Sequence, residues 1–172
     1  ALRLALFAAA CAGFSGAVAA PSELQVEREA SALVTGADGD PEPWRYLYYE
    51  PRDAGEGEAG KPLPLMIYLH GRSARGDDFG KVRRYGPPSF LDERPDFPFI
   101  TVSPQLPDGS WNPDELDPLL DEWLERHPVD PDRVYLTGVS LGAMGAWTWA
   151  AASPERFAAL VPIGAHGPGF AA

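Results

Sequence analysis

The stretch Val134–Gly145 constrains this chain more than any other. Val134-Tyr135-Leu136-Thr137 reads as a short buried strand, Gly138-Val139-Ser140-Leu141-Gly142 as a sharp turn, and the small residues that follow as a helix. A serine hydroxyl is a poor nucleophile unless it is held exposed beside a base and a donor-lined pocket. A tight strand-to-helix turn pushes that side chain out at the top of a sheet, and the backbone on either side must then approach closely. Positions two before and two after the serine therefore tolerate little beyond hydrogen, which is what Gly138 and Gly142 supply. A helix starting at Ser140 also aims free N–H groups at any anion formed there. A bare G-x-S-x-G arises by chance in a chain with 18 glycines. The flanking strand and helix are the context that makes Ser140 a candidate nucleophile.

At 172 residues the chain is expected to form one domain. Its formal net charge of -11 argues against nucleic acid or an anionic membrane surface as a partner. Residues 1–20 read as a secretory signal peptide: Arg3, an apolar run from Leu4 to Phe14, and an A-x-A site at Ala17-Val18-Ala19. The protein is thus expected to be exported, either periplasmic or secreted, with no integral membrane span in the mature chain. An uncleaved anchor is the alternative, and Cys11 is a weak lipidation candidate. Cys11 is also the single cysteine, so no disulfide is expected after cleavage.

Residues 21–43 read as a polar N-terminal extension with one short strand at Ala30–Val34, ahead of a domain spanning 44–172. Aromatic content marks Trp44–Glu50 as a strand, and Arg52–Lys61 is a Gly/Glu-rich loop. Pro64–Leu69 is a continuous apolar run, the mark of a strand buried on both faces of a parallel sheet. It ends in His70-Gly71-Arg72-Ser73, and Gly76-Asp77-Asp78 then caps a short helix. Phe97–Ser103 is a second central strand. From Asp114 or Asp117 to Arg126, Leu116, Leu119, Leu120, Trp123 and Leu124 recur with helical spacing, so one face packs on the sheet. The elbow helix runs to about Ala152, and a last strand covers Ala159–Ile163. Strands alternating with helices predict a mostly parallel α/β sheet of five or six strands. Its site lies where the strand C-termini meet, at loops 70–76, 104–111, 138–142 and 164–169.

Several phrases together carry a resemblance: Leu69-His70-Gly71, Gly76-Asp77-Asp78, Tyr85-Gly86-Pro87-Pro88, Val102-Ser103-Pro104-Gln105, Val129-Asp130-Pro131-Asp132-Arg133 leading into the elbow, and Ser153-Pro154-Glu155-Arg156-Phe157. Over roughly residues 44–167 the chain resembles the α/β-hydrolases, and within them the phospholipase/carboxylesterase-like group with its exported esterase and predicted-peptidase branches. The resemblance implies a three-layer α/β/α sandwich lacking its C-terminal strands, with Ser140 as nucleophile. It also implies an oxyanion hole built from the backbone N–H groups of Arg72 and Leu141. The implied substrate is a small-molecule, lipid or polysaccharide ester or thioester. No cofactor is implied, and no cluster of His, Cys and acid has metal-ligand spacing.

The rest of a triad is not evident. The 32 residues after Ser140 contain no Asp, one acid (Glu155) and one histidine (His166). Glu155 sits at the far end of the elbow helix, ~18 Å away at about 1.5 Å per residue, and cannot serve as the acid. His166 falls on the correct rim, as a substitute base or a solvated loop residue. His70 reads as a loop-shaping residue, His127 as a surface residue near a helix end, and Trp111 as either pocket wall or rim packing. A chain that starts at Ala1 and stops at Phe170-Ala171-Ala172 is expected to be part of a longer enzyme. The rival expectation is an exported, non-catalytic binding protein on a degenerate hydrolase scaffold.

Overall fold

The computed structural model describes residues 24–52 and 61–167. The signal peptide and Cys11 lie outside the described residues, as do the middle of the 52–61 loop and the end of the 164–169 loop. Six strands make one sheet: β1 (Gln25–Thr35), β2 (Pro41–Tyr49), β3 (Leu63–Leu69), β4 (Ile100–Gln105), β5 (Val129–Val139) and β6 (Ala159–Ile163). Their spatial order is β1-β2-β4-β3-β5-β6. The pairs β4–β3, β3–β5 and β5–β6 are parallel, while β1–β2 and β2–β4 are antiparallel. The sheet is mostly parallel, as expected, with an antiparallel margin on its N-terminal side.

Alternation along the strands sorts the side chains into two faces. Leu65, Ile67 and Leu69 of β3 and Val134 and Leu136 of β5 join one buried cluster with helices α2 (Pro113–Arg126) and α3 (Leu141–Ala152). The helical spacing read from α2 holds, since Leu116, Leu119, Leu120 and Trp123 are its buried residues. Its start is settled by Asn112, whose side chain accepts from the Asp114 N–H at 3.1 Å, followed by Pro113, which has no N–H to satisfy. On the opposite face the short helix α1 (Phe79–Val82) packs Phe79 and Val82 on Leu47.

Of the N-terminal extension expected over 21–43, the described residues 24–43 take part in the sheet. β1 runs over Gln25–Thr35 rather than Ala30–Val34, and β2 begins at Pro41, so the 43/44 boundary falls inside a hairpin. The polar sequence hides this because β1 is an edge strand whose ties are made by carboxylates. Asp92 Oδ1 accepts from the Leu24 and Gln25 N–H groups, both at 2.9 Å. Where β1 bulges between Glu29 and Leu33, Glu122 of α2 accepts from Ser31 and Ala32 at 2.7 and 2.9 Å. No alternation pattern reports contacts between residues some 90 positions apart.

At the other margin, β6 pairs only with β5 among the described residues. Leu160 packs against the main core, whereas Val161 and Ile163 on the opposite side are 58% and 55% exposed. They border an apolar groove of about 510 Å³ that includes Phe97, Phe99 and Tyr135. An unpaired, apolar edge of this kind invites pairing with another chain.

Candidate active site

Ser140 is the sole non-glycine with positive φ among the described residues, at φ 54° and ψ −115°. L-residues avoid this conformation, at a cost of order 1–3 kcal/mol, and it persists only where the surroundings enforce it. Three contacts do so. The Ser140 N–H donates to the Ile163 carbonyl at 2.9 Å, anchoring the turn to the end of β6. A Cβ on Gly138 would meet the Gly142 carbonyl oxygen at 2.5 Å and the Leu69 oxygen at 2.9 Å. A Cβ on Gly142 would overlap the Leu69 carbonyl group itself. Both glycines are therefore required by close approach of β3, β5 and α3, although neither has positive φ.

The loop after β3 completes the same corner. A Cβ on Gly71 would lie 3.5 Å from the Ser140 Cβ and 3.3 Å from the Val139 oxygen. The cleft in front of Ser140 has a volume of about 470 Å³ and is lined by Gly71, Arg72, Ser73 and Val139 among others. Arg72 opens a 3-10 turn (Arg72–Ala74) and Leu141 opens α3, so neither backbone N–H has an intrahelical acceptor. The structure thus brings Ser140, Arg72 and the two glycines together, with Leu141 directly behind the serine.

His70 is 1% exposed and both ring nitrogens are engaged. Nε2 accepts from the Leu106 N–H at 3.0 Å, which makes Nδ1 the protonated nitrogen, donating to the Gly71 carbonyl at 2.8 Å. The ring pins the loop after β3 to the loop after β4. Burial pushes its pKa down to about 4, opposed by the bond to Gly71. Because the folded value lies below the ordinary histidine value of 6.5, the neutral ring stabilises the fold fully above pH 6.5. That contribution is lost as pH falls toward 4. Between pH 7 and pH 4.5 the protein should lose about 2–3 kcal/mol from this group. Urea titrations at the two pH values check it against His70→Gln, which should lack this component; equal losses in both proteins would assign the acid sensitivity elsewhere.

The other candidates fall outside the cleft. Trp111 is packing and not pocket wall: it is buried, lies edge-on to His70 at 5.0 Å and stacks on Trp44 at 6.0 Å. His127 is half-buried rather than a surface residue, stacked on Tyr48 at 4.3 Å. His166 is exposed, with its Nδ1 3.3 Å from the Gly167 carbonyl oxygen. It does not line the cleft. Glu155 is exposed in the turn beyond the far end of α3. Lys81 and Tyr85 also line the cleft, although the sequence places neither in a rim loop. They come from α1 and the turn after it, too short a segment for periodicity to place. Among the described residues no group of three His, Cys, Asp or Glu could hold a metal ion, and no helix is long and apolar enough to cross a membrane.

A parallel-centred sheet with a strained serine between β5 and α3 is the α/β-hydrolase fold, and solved structures of that fold superpose on the chain. A thermostable esterase is 24% identical with a TM-score of 0.57, over 81% of this chain and 40% of its own. The fluorophosphonate-binding serine hydrolase F of Staphylococcus aureus gives 18% and 0.58, over 80% and 56%. An acetyl xylan esterase from Aspergillus awamori gives 18% and 0.58, over 81% and 53%. The chain therefore spans about half the length of these structures. No protein-family model and no curated protein sequence matches it.

Proposed function

We propose that this chain carries the nucleophile half of an exported serine hydrolase that cleaves carboxylic esters or thioesters. Ser140 attacks the carbonyl carbon, and the backbone N–H groups of Arg72 and Leu141 hold the oxyanion that forms. A lost donor of this kind typically costs ~100- to 1,000-fold in rate. The observation that carries the reading is the backbone of Ser140, held in a disfavoured conformation at the mouth of a cleft by two glycines that admit no side chain. Packing alone gives no reason to maintain such strain. His70, buried with both nitrogens bonded, is unsuited to be the base, and His166 lies outside the cleft. The base and its orienting acid come from polypeptide outside this sequence. The substrates that suit the site are small acyl esters and esters carried on lipid or polysaccharide.

A fluorophosphonate probe tests the nucleophile. It should label the protein on Ser140, and Ser140→Ala should abolish labelling. Labelling that survives the substitution, or a folded protein that resists the probe, would instead support a non-catalytic binding protein. With p-nitrophenyl acetate the 172-residue chain should show only the acceleration that donors and binding provide, on the order of a thousandfold over water. His166→Ala should leave that rate unchanged; a loss equal to that in Ser140→Ala would make His166 the base.

A further inference from the structure

The chain carries a formal net charge of -11, yet the cleft beside Ser140 is lined by two cations, Arg72 and Lys81, and by no carboxylate. This is the reverse of what an average surface of this composition would present. Two neighbouring arginines have partners: Arg75 pairs with Asp108 at 2.7 Å and Arg83 with Asp92 at 2.8 Å. Arg72 makes no ion pair and no side-chain hydrogen bond among the described residues. Among the described residues Lys81 has a single long polar contact, to the Arg75 carbonyl at 3.4 Å. Tyr68 lines the same cleft, and burial pushes its pKa up to about 12, so its hydroxyl stays protonated. The residues lining the cleft thus carry a guanidinium with no ion pair among the described residues, an ammonium with one long contact there and a phenol, all donors, beside one serine.

We propose that this cleft selects esters carrying a negative charge, with Arg72 and Lys81 as the residues that recognise the anionic end while Ser140 faces the ester carbonyl. The proposal rests on the reading of Ser140 as the nucleophile. The overall field of the protein repels anions, so an affinity for them must be local to these two side chains. Partly exposed charge pairs are individually weak at physiological salt, and two acting together give a preference of about tenfold.

The test is binding to the Ser140→Ala protein, which cannot turn the ligands over, at near-physiological salt. Monoethyl succinate is compared with ethyl butyrate, which places the charge on the acyl side. Acetoxyacetate is compared with propyl acetate, which places it on the alcohol side. One anionic ester should bind about tenfold more tightly than its neutral partner, and the pair that shows this assigns the side. The ratio should fall to near one in Arg72→Gln/Lys81→Met, with its fold checked by circular dichroism. It should persist in Arg84→Gln, an exposed arginine that does not line the cleft. No preference in either pair overturns the proposal without any variant having to fold, and so does an equal loss in Arg84→Gln. Fluorophosphonate labelling of Ser140 is independent of these ratios, so failure of the substrate preference is distinguishable from failure of the nucleophile.

Discussion

Replacing Gly142 with alanine is expected to lower stability by about 3 kcal/mol or more, a large share of the ~5–15 kcal/mol that holds a domain together. The new Cβ would fall within the Leu69 carbonyl group and 2.8 Å from the His70 carbonyl oxygen. Neither atom can yield cheaply. Leu69 ends β3 in register with Gly138 of β5, and His70 is fixed by its bonds to Leu106 and Gly71. Gly109 provides the comparison, with nothing within 4 Å of its Cβ position and only a φ of 71° to oppose a side chain. Gly109→Ala should cost about 1 kcal/mol. Urea midpoints for the two variants measure the difference. Equal shifts would mean that the elbow is looser than its contacts show.

The second large effect is expected at Trp149, which is 0% exposed on the inner face of α3. Trp149→Ala should cost about 3–5 kcal/mol, as truncation of a buried aromatic leaves a cavity that its neighbours fill only in part. The ring packs edge-on to Phe157 at 5.0 Å, and its N–H donates to Asp117 Oδ1 of α2 at 2.8 Å. Asp117 also accepts from Ser153 Oγ at 2.9 Å and pairs with Arg156 at 3.2 Å, so one carboxylate ties α2 to the end of α3. Trp149→Phe keeps a six-membered ring but loses the N–H and part of the buried indole, and should cost about 1–3 kcal/mol. Denaturant titration of the pair measures how much of the loss comes from the ring that phenylalanine keeps. If the phenylalanine variant were as unstable as the alanine one, the lost N–H and indole edge would dominate over the ring that remains.

The parts of the molecule legible in the sequence are those written in local pattern. The apolar runs of β3 and β4, the helical spacing of α2 and the glycines around Ser140 each announce their element, because a buried strand, an amphipathic helix and a tight turn all restrict neighbouring residues. What was not legible depends on residues far apart in the chain. β1 looks polar because Asp92 and Glu122 hold its backbone, and Trp111 reads as packing only once Gly145 is seen to leave room beneath its indole ring. The cationic lining of the cleft was hidden in the same way. Lys81 sits in a four-residue helix, too short for a periodic pattern to place it at the cleft.

The bond from the Ser140 N–H to the Ile163 carbonyl has a consequence for how long the site persists. The strained turn leans on the final residue of a strand that, among the described residues, has a neighbour on one side only. Edge strands open more often than central ones, and each opening of β6 removes the acceptor that holds the serine's backbone in place. The lifetime of the reactive geometry is therefore bounded by the lifetime of β6 on the sheet. A polypeptide that pairs along the free edge of β6 would lengthen both together, without touching the serine.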